Sequence, residues 1–182
     1  AKEILENAGC TMDADGFYER NGEEIGFVIS VMSGEQDRID IAQAAAQQLQ
    51  EIGINCTVDI PAQIDWGGQM ACLIGWGSPF DADDHTYKVF GTDKGANYSG
   101  YSNEKVDEYL TLARQYEDQE TRGKYYDLFQ EELAKDPAYA FICYIDANYV
   151  ADSDIKGISE KTVLGHHGVG IFWNIQDWEI TE

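Results

Sequence analysis

Six residues between positions 76 and 98 are the types best suited to hold a small molecule. Trp76 stands between two glycines in the run Gly75-Trp76-Gly77-Ser78-Pro79-Phe80-Asp81-Ala82-Asp83-Asp84-His85. A solvent-facing indole is a flat apolar platform that stacks on a peptide plane, a ring or a guanidinium. Gly75 and Gly77 permit unusual backbone angles and close approach of a ligand. Phe80 is a second ring, able to stack but not to hydrogen-bond, and Ser78 offers a hydroxyl. Further on, Asn97-Tyr98-Ser99-Gly100-Tyr101 supplies an amide and hydroxyls as directional donors and acceptors. Trp76, Gly77, Ser78, Phe80, Asn97 and Tyr98 are therefore the candidate ligand wall.

The neighbouring carboxylates admit a second reading. Asp81, Asp83 and Asp84 stand where a helix begins, and acids are favourable there without any ligand. His85 among them is the better of two metal candidates, so direct metal-ion binding by His85 and these carboxylates is the alternative. His166-His167 is weaker: adjacent residues on a strand point to opposite faces, and no spaced third histidine or cysteine completes a set. Cys10, Cys56, Cys72 and Cys143 show no CxxC spacing. The last three sit in apolar runs and read as small buried hydrophobes, while a disulfide involving Cys10 cannot be paired from sequence. No nucleophile elbow, zinc-protease helix, phosphate loop or dinucleotide fingerprint is present. The expectation is binding without catalysis, and no cofactor.

Thirty-four acidic residues against twelve basic ones leave a formal charge of −22. Nucleic acid is a poor partner for such a chain, because phosphate binding needs a basic face. Its plainest effect is solubility. With 43% hydrophobic and 12% aromatic residues the composition is globular. A chain of 182 residues fits one domain, or one lobe of a larger protein. No apolar stretch approaches the ~20 residues of a membrane span. The start at Ala1-Lys2-Glu3, without Met or a targeting sequence, reads as a cut inside a longer protein, with a secretion signal and a partner lobe upstream.

These side chains must be positioned by a βαβ frame. The pattern predicts a short helix over 2–8 stopped by Gly9, a hairpin turn at Asn21-Gly22, and a β-branched strand over 25–31. A helix over 35–52 follows, with Ala42, Ala45, Ala46, Leu49 and Ile52 on one stripe. Strands over 54–60 and 69–76 complete a parallel unit. Helices are predicted over 84–90, 103–117 and 120–135. Ser102 or Asn103 caps the second, with Val106, Tyr109, Leu110, Ala113 and Tyr116 buried; Asp118 caps the third, with Tyr125, Leu128, Phe129 and Leu133 buried. A strand over 139–145, an extension over 148–151 and brief closing strands finish the chain.

The Gly-Trp-Gly-Ser-Pro-Phe-Asp turn and the Asn97-Tyr98-Ser99-Gly100-Tyr101-Ser102-Asn103 helix start together resemble the second lobe of extracellular solute-binding proteins of the peptide/nickel group (family 5). Ala1 to Gly9, Asp15-Gly16, Ile52-Gly53-Ile54, Phe141 to Asp146, Gly157 and Trp173 to Trp178 fall in the family's order. The resemblance implies an α/β lobe of periplasmic-binding-protein type (type II), a mixed sheet flanked by helices. Residues 1–182 would form one C-terminal ligand-binding lobe, with strands from about 145 returning toward a first lobe. It implies capture of a small peptide or metal-chelate ligand outside the cell or in the periplasm, on a lipoprotein-anchored protein, and delivery to an ABC permease. Where peptide binders of the family carry an Asp after the Trp, this chain has Gly77-Ser78-Pro79, closer to the nickel branch. That branch has Tyr where Phe80 stands here.

Overall fold

The computed structural model describes residues 1–77, 81–146, 148–159 and 166–181. The chain divides into two compact units, Ala1–Gly75 and Trp76–Glu182.

In the first unit, helix α1 (Lys2–Asn7) ends before Gly9, whose φ of 82° is left-handed. Strands β1 (Thr11–Met12), β2 (Tyr18–Arg20) and β3 (Glu23–Glu24) form a small antiparallel sheet. Asn21 and Gly22 join β2 to β3 with φ of 58° and 82°, the two positive values a tight hairpin turn requires. Strand β4 (Gly26–Ser30), helix α2 (Gln36–Glu51) and strand β5 (Asn55–Asp59) are the expected βαβ unit, with β4 and β5 parallel and Phe27 beside Cys56. The α2 stripe buries Ile39, Ala42 and Ala46. Ile39 and Ala42 pack with Val31 against Ile29, Val58 and Leu73.

The third strand is shorter than its apolar run. β6 (Ala71–Cys72) pairs in parallel with Ile29 and Ser30, where β4 ends, and the ladder stops for want of a partner. One further bond, from Leu73 N–H to the Ser30 carbonyl at 3.1 Å, carries the pairing on. Residues 73–77 then run without regular structure, so Trp76 lies beyond the strand instead of at its tip.

The second unit is built on helices α3 (Asp83–Phe90), α4 (Glu104–Ala113) and α5 (Gln119–Leu133). Asn103 caps α4 by accepting from the Lys105 and Val106 N–H groups at 3.0 and 3.3 Å. Asp118 caps α5 by accepting from Thr121 N–H at 2.8 Å, a bond that holds its carboxyl below the usual range. Tyr101, Val106, Leu110, Phe129 and Leu133 form the core, with Tyr87, Phe90, Tyr109 and Tyr126 around it. Burying the last four core members removes most of their apolar surface from water, each worth roughly 1.5–3 kcal/mol. The predicted stripes are trimmed at their edges. Leu128 is 39% exposed, and Tyr116 lies past the end of α4, stacked on Tyr125 at 5.6 Å.

Several expectations in the C-terminal part are corrected. Residues 139–145 form no strand, and Phe141, Ile142, Tyr144 and Ile145 are exposed. β-propensity alone does not make a strand; a neighbouring edge must pair with it, and no described strand does so. Cys143 on this run is exposed, not a buried hydrophobe, whereas Cys10 and Cys56 are buried, Cys72 is half-buried, and all four are free thiols. Residues 148–151 form no strand either. His166–Asp177 is a 3₁₀ segment, so the histidine pair opens it instead of lying on a strand, and residues 173–177 are not a closing strand. Among the described residues there, β7 (Ile155–Lys156) and β8 (Glu179–Ile180) pair antiparallel. Beside them Asn174, 6% exposed, donates to the Gly157 carbonyl at 2.8 Å and accepts from the Trp178 indole N–H at 3.1 Å. Among the described residues no helix is long and apolar enough to cross a membrane.

Candidate ligand-binding site

Trp76 sits at the start of the second unit with 37% of its surface open. Its ring is neither sealed in the core nor free of it. The His85 imidazole lies against it at 5.4 Å between centroids and 55° between planes. Tyr98 stacks on it at 6.2 Å and 12°, itself 39% exposed. Three rings thus make one partly open apolar wall. Two of them, Trp76 and Tyr98, come from the predicted set; the third, His85, stands out in sequence only as the alternative metal candidate.

Helix α3 fixes His85 in that place. The side chain is 14% exposed, with Nδ1 3.4 Å from Asp84 Oδ2. The other carboxylates of the run are held by basic groups. Arg122 on α5 reaches Asp81 at two points, 2.8 and 3.2 Å, which holds the Asp81 carboxyl below the usual carboxylate range and pushes the guanidinium up. Asp83 pairs with Arg114 at 3.2 Å, and Asp84 also lies 3.4 Å from Lys88 Nζ. Each acid beside His85 therefore has a cationic partner in the chain. Among the described residues no three His, Cys, Asp or Glu side chains converge as a metal site would need. The direct metal-ion alternative draws no support from this geometry.

The Asn97 amide is engaged within its own loop. Its Nδ2 donates to the Gly91 and Tyr101 carbonyls at 2.9 and 2.7 Å. Its Oδ1 accepts from Tyr101 N–H at 3.1 Å and from the Ser99 hydroxyl at 3.2 Å. With its amide engaged at both ends, Asn97 braces the loop that presents Tyr98. Gly77 is partly exposed beside Trp76, and Ser78 and Phe80 lie outside the described residues. Tyr87 is flanked by cations, with Arg114 Cζ 4.0 Å and Lys94 Nζ 4.9 Å from its centroid. The Arg114–Tyr87 contact, like the Arg122–Asp81 pair, joins residues far apart in sequence, and no local pattern announces it.

A cavity of about 210 Å³ lies among Tyr87, Thr92, Lys94, Asp107 and Thr111. It shares no residue with the aromatic wall, its rim is polar, and it is smaller than the ~300 Å³ at which small-molecule pockets usually begin. The wall is the better site.

No family model matches the chain. In sequence it is 26% identical over 193 aligned positions to the oligopeptide-binding protein AppA of Bacillus subtilis (strain 168), covering 98% of this chain and 34% of that protein. It is 30% identical over 168 positions to Protein XP55 of Streptomyces lividans, covering 88% of this chain and 31% of the relative. In structure it matches NikZ of Campylobacter jejuni, solved in complex with Ni(L-His), at a TM-score of 0.82 and 36% identity, over 98% of this chain and 38% of that one. The chain spans about a third of the length of the curated relatives it matches. Sequence kinship and fold together place it with the solute-binding proteins of the peptide and nickel group, family 5, whose periplasmic-binding-protein-like α/β architecture it shares.

Proposed function

We propose that this chain is the C-terminal ligand-binding lobe of a solute-binding protein serving an ABC importer. In this reading, two α/β lobes close over a solute by hinge motion, and the membrane permease does the import. The solute is a small peptide or a metal chelate, held and handed on without chemical change. The working compartment is outside the cytoplasmic membrane, with a lipid anchor on the full-length protein. Residues from about 145 onward return toward the first lobe.

The observation that carries the reading is the Trp76–His85–Tyr98 wall, partly open in a chain that matches a Ni(L-His)-bound protein along 98% of its length. Flat rings present apolar area at low entropic cost and tolerate ligands of varied shape. Half of the buried ligand surface would come from the other lobe, so this chain alone binds weakly. The large exposed side chains Phe141, Ile142 and Tyr144 also suit a segment covered by further polypeptide. Isothermal titration of the full-length protein with Ni(L-His) and with mixed short peptides tests the proposal. Binding of either class, weakened about tenfold or more by Trp76→Ala, supports it; heats unchanged by that substitution would remove Trp76 from the site.

A further inference from the structure

The first turn of α3 is gripped from two directions. Arg122 of α5 donates from Nη2 to Asp81 Oδ1 at 2.8 Å and from Nη1 to Asp81 Oδ2 at 3.2 Å. Arg114, the C-cap just beyond α4, places Nε 3.2 Å from Asp83 Oδ1. Asp81 Oδ1 also accepts from Asp83 N–H at 2.8 Å, so the carboxylate that Arg122 holds is the one that closes the turn into the helix. Two positions after Asp83 comes His85, the ring against Trp76.

This arrangement differs from the other described ion pairs. Arg38–Glu35, Lys88–Asp84, Lys124–Glu120 and Lys135–Glu132 each lie within one helical turn, and Lys105–Glu132 is stretched to 4.0 Å. Two of the chain's four arginines are committed to the start of α3, in a sequence of net charge −22 where acids are plentiful. A two-point guanidinium–carboxylate contact fixes orientation as well as distance, which the point charge of a lysine cannot do. The Arg122 side chain is 23% exposed, and Tyr126 lies beneath it at 5.9 Å.

We propose that Arg122 is a positioning residue for the aromatic wall: through Asp81 it sets the start of α3, and with it the His85 ring against which Trp76 rests. The wall then has its shape before any solute arrives, which lowers the ordering cost of capture. That use of the wall rests on the solute-binding reading; the positioning itself does not.

Proton NMR of the full-length protein tests it. The indole's ring current displaces the His85 ring-proton resonances while the two rings stay in contact, and they are assigned by their loss in His85→Gln. Asp81→Asn, Arg122→Gln and Arg122→Lys should at least halve that ring-current shift while the melting temperature falls by no more than about 4 °C. Lys124→Gln, which removes a neighbouring cation on the same helix, should leave the shift as it is. An unchanged His85 shift in Arg122→Lys or Arg122→Gln overturns the proposal, and so does an equal loss in Lys124→Gln. Unfolding of all the Arg122 variants would mark the residue as a general structural one and would overturn it as well. None of these readings needs a solute. If neither Ni(L-His) nor peptides bind while the shift responds as stated, solute capture is lost and the positioning role stands.

Discussion

Trp76 and Tyr98 face each other with ring planes 12° apart and centroids 6.2 Å apart, although all of α3 separates them in sequence. Each keeps more than a third of its surface open. The pair presents one extended apolar surface that neither ring makes alone. In the proposed solute-binding role, the wall uses Tyr98 through its stacked ring. Tyr98→Phe should therefore leave solute affinity within about twofold, whereas Tyr98→Ala should weaken it by about 1 kcal/mol, or roughly fivefold. Calorimetry on the full-length protein distinguishes the two, and an equal loss in both would show the hydroxyl to matter instead.

Asn97 braces the loop beneath that pair. Asn97→Ala leaves the Gly91 and Tyr101 carbonyls and the Tyr101 N–H without their partner. With these groups part-buried, the expected loss of stability is about 2 kcal/mol. Urea unfolding should show the midpoint falling with little change in slope.

Two leucines that share the helical apolar pattern should respond very differently. Leu110 is 1% exposed and Leu128 is 39% exposed. Leu110→Ala should cost about 3 kcal/mol through lost transfer energy and a residual cavity. Leu128→Ala should cost less than about 1 kcal/mol. Similar values from thermal unfolding would mean that the α4–α5 packing is other than described.

The Arg122–Asp81 pair gives stability a direction with pH. The Asp81 carboxyl is held below its ordinary 3.8 in the folded protein, chiefly by the hydrogen bond from Arg122. Its contribution is thus complete above the ordinary carboxylate range and disappears as the pH falls through the lowered value. The difference in stability between the parent and Asp81→Asn should be constant from pH 7 to pH 5 and close as the solution is acidified below pH 4. The difference is small, because Asp81 is 53% exposed and water screens it. Parallel acid titrations of the two proteins by circular dichroism measure it. A gap that widened on acidification would contradict the assignment.

Thiol chemistry separates the cysteines. Cys143 is exposed, Cys10 and Cys56 are buried, and burial pushes the Cys56 thiol up. This chain alone should show rapid labelling by a maleimide at Cys143 and none at Cys56 without denaturant. In the full-length protein Cys143 should be protected at least tenfold if the other lobe covers the 139–145 segment.

The frame was legible where the cause is local. Asn21-Gly22, the alanine stripe of α2, and the caps Asn103 and Asp118 act through neighbours a few residues away, and all were found where the sequence places them. The segment over 139–145 misled because its propensity is real but strand formation depends on a distant edge. The wall was half legible. Trp76 and Tyr98 stand out as aromatic residues in glycine-rich turns, but their stacking is tertiary, and so is the pairing of Asp81 with Arg122 across 41 positions. His85 stands out in sequence only as a candidate metal ligand, because its ring contact with Trp76 is tertiary, and the arginines that pair with Asp81 and Asp83 come from distant helices.

The run from Phe141 to Ile145 has a practical consequence. Exposed, outside any strand pairing and rich in β-branched and aromatic residues, it is, among the described residues, a segment prone to intermolecular cross-β association. The surplus of carboxylates opposes that by mutual repulsion, a colloidal brake that added electrolyte releases. Produced by itself, the polypeptide should stay dispersed in dilute buffer and turn turbid as the salt concentration is raised.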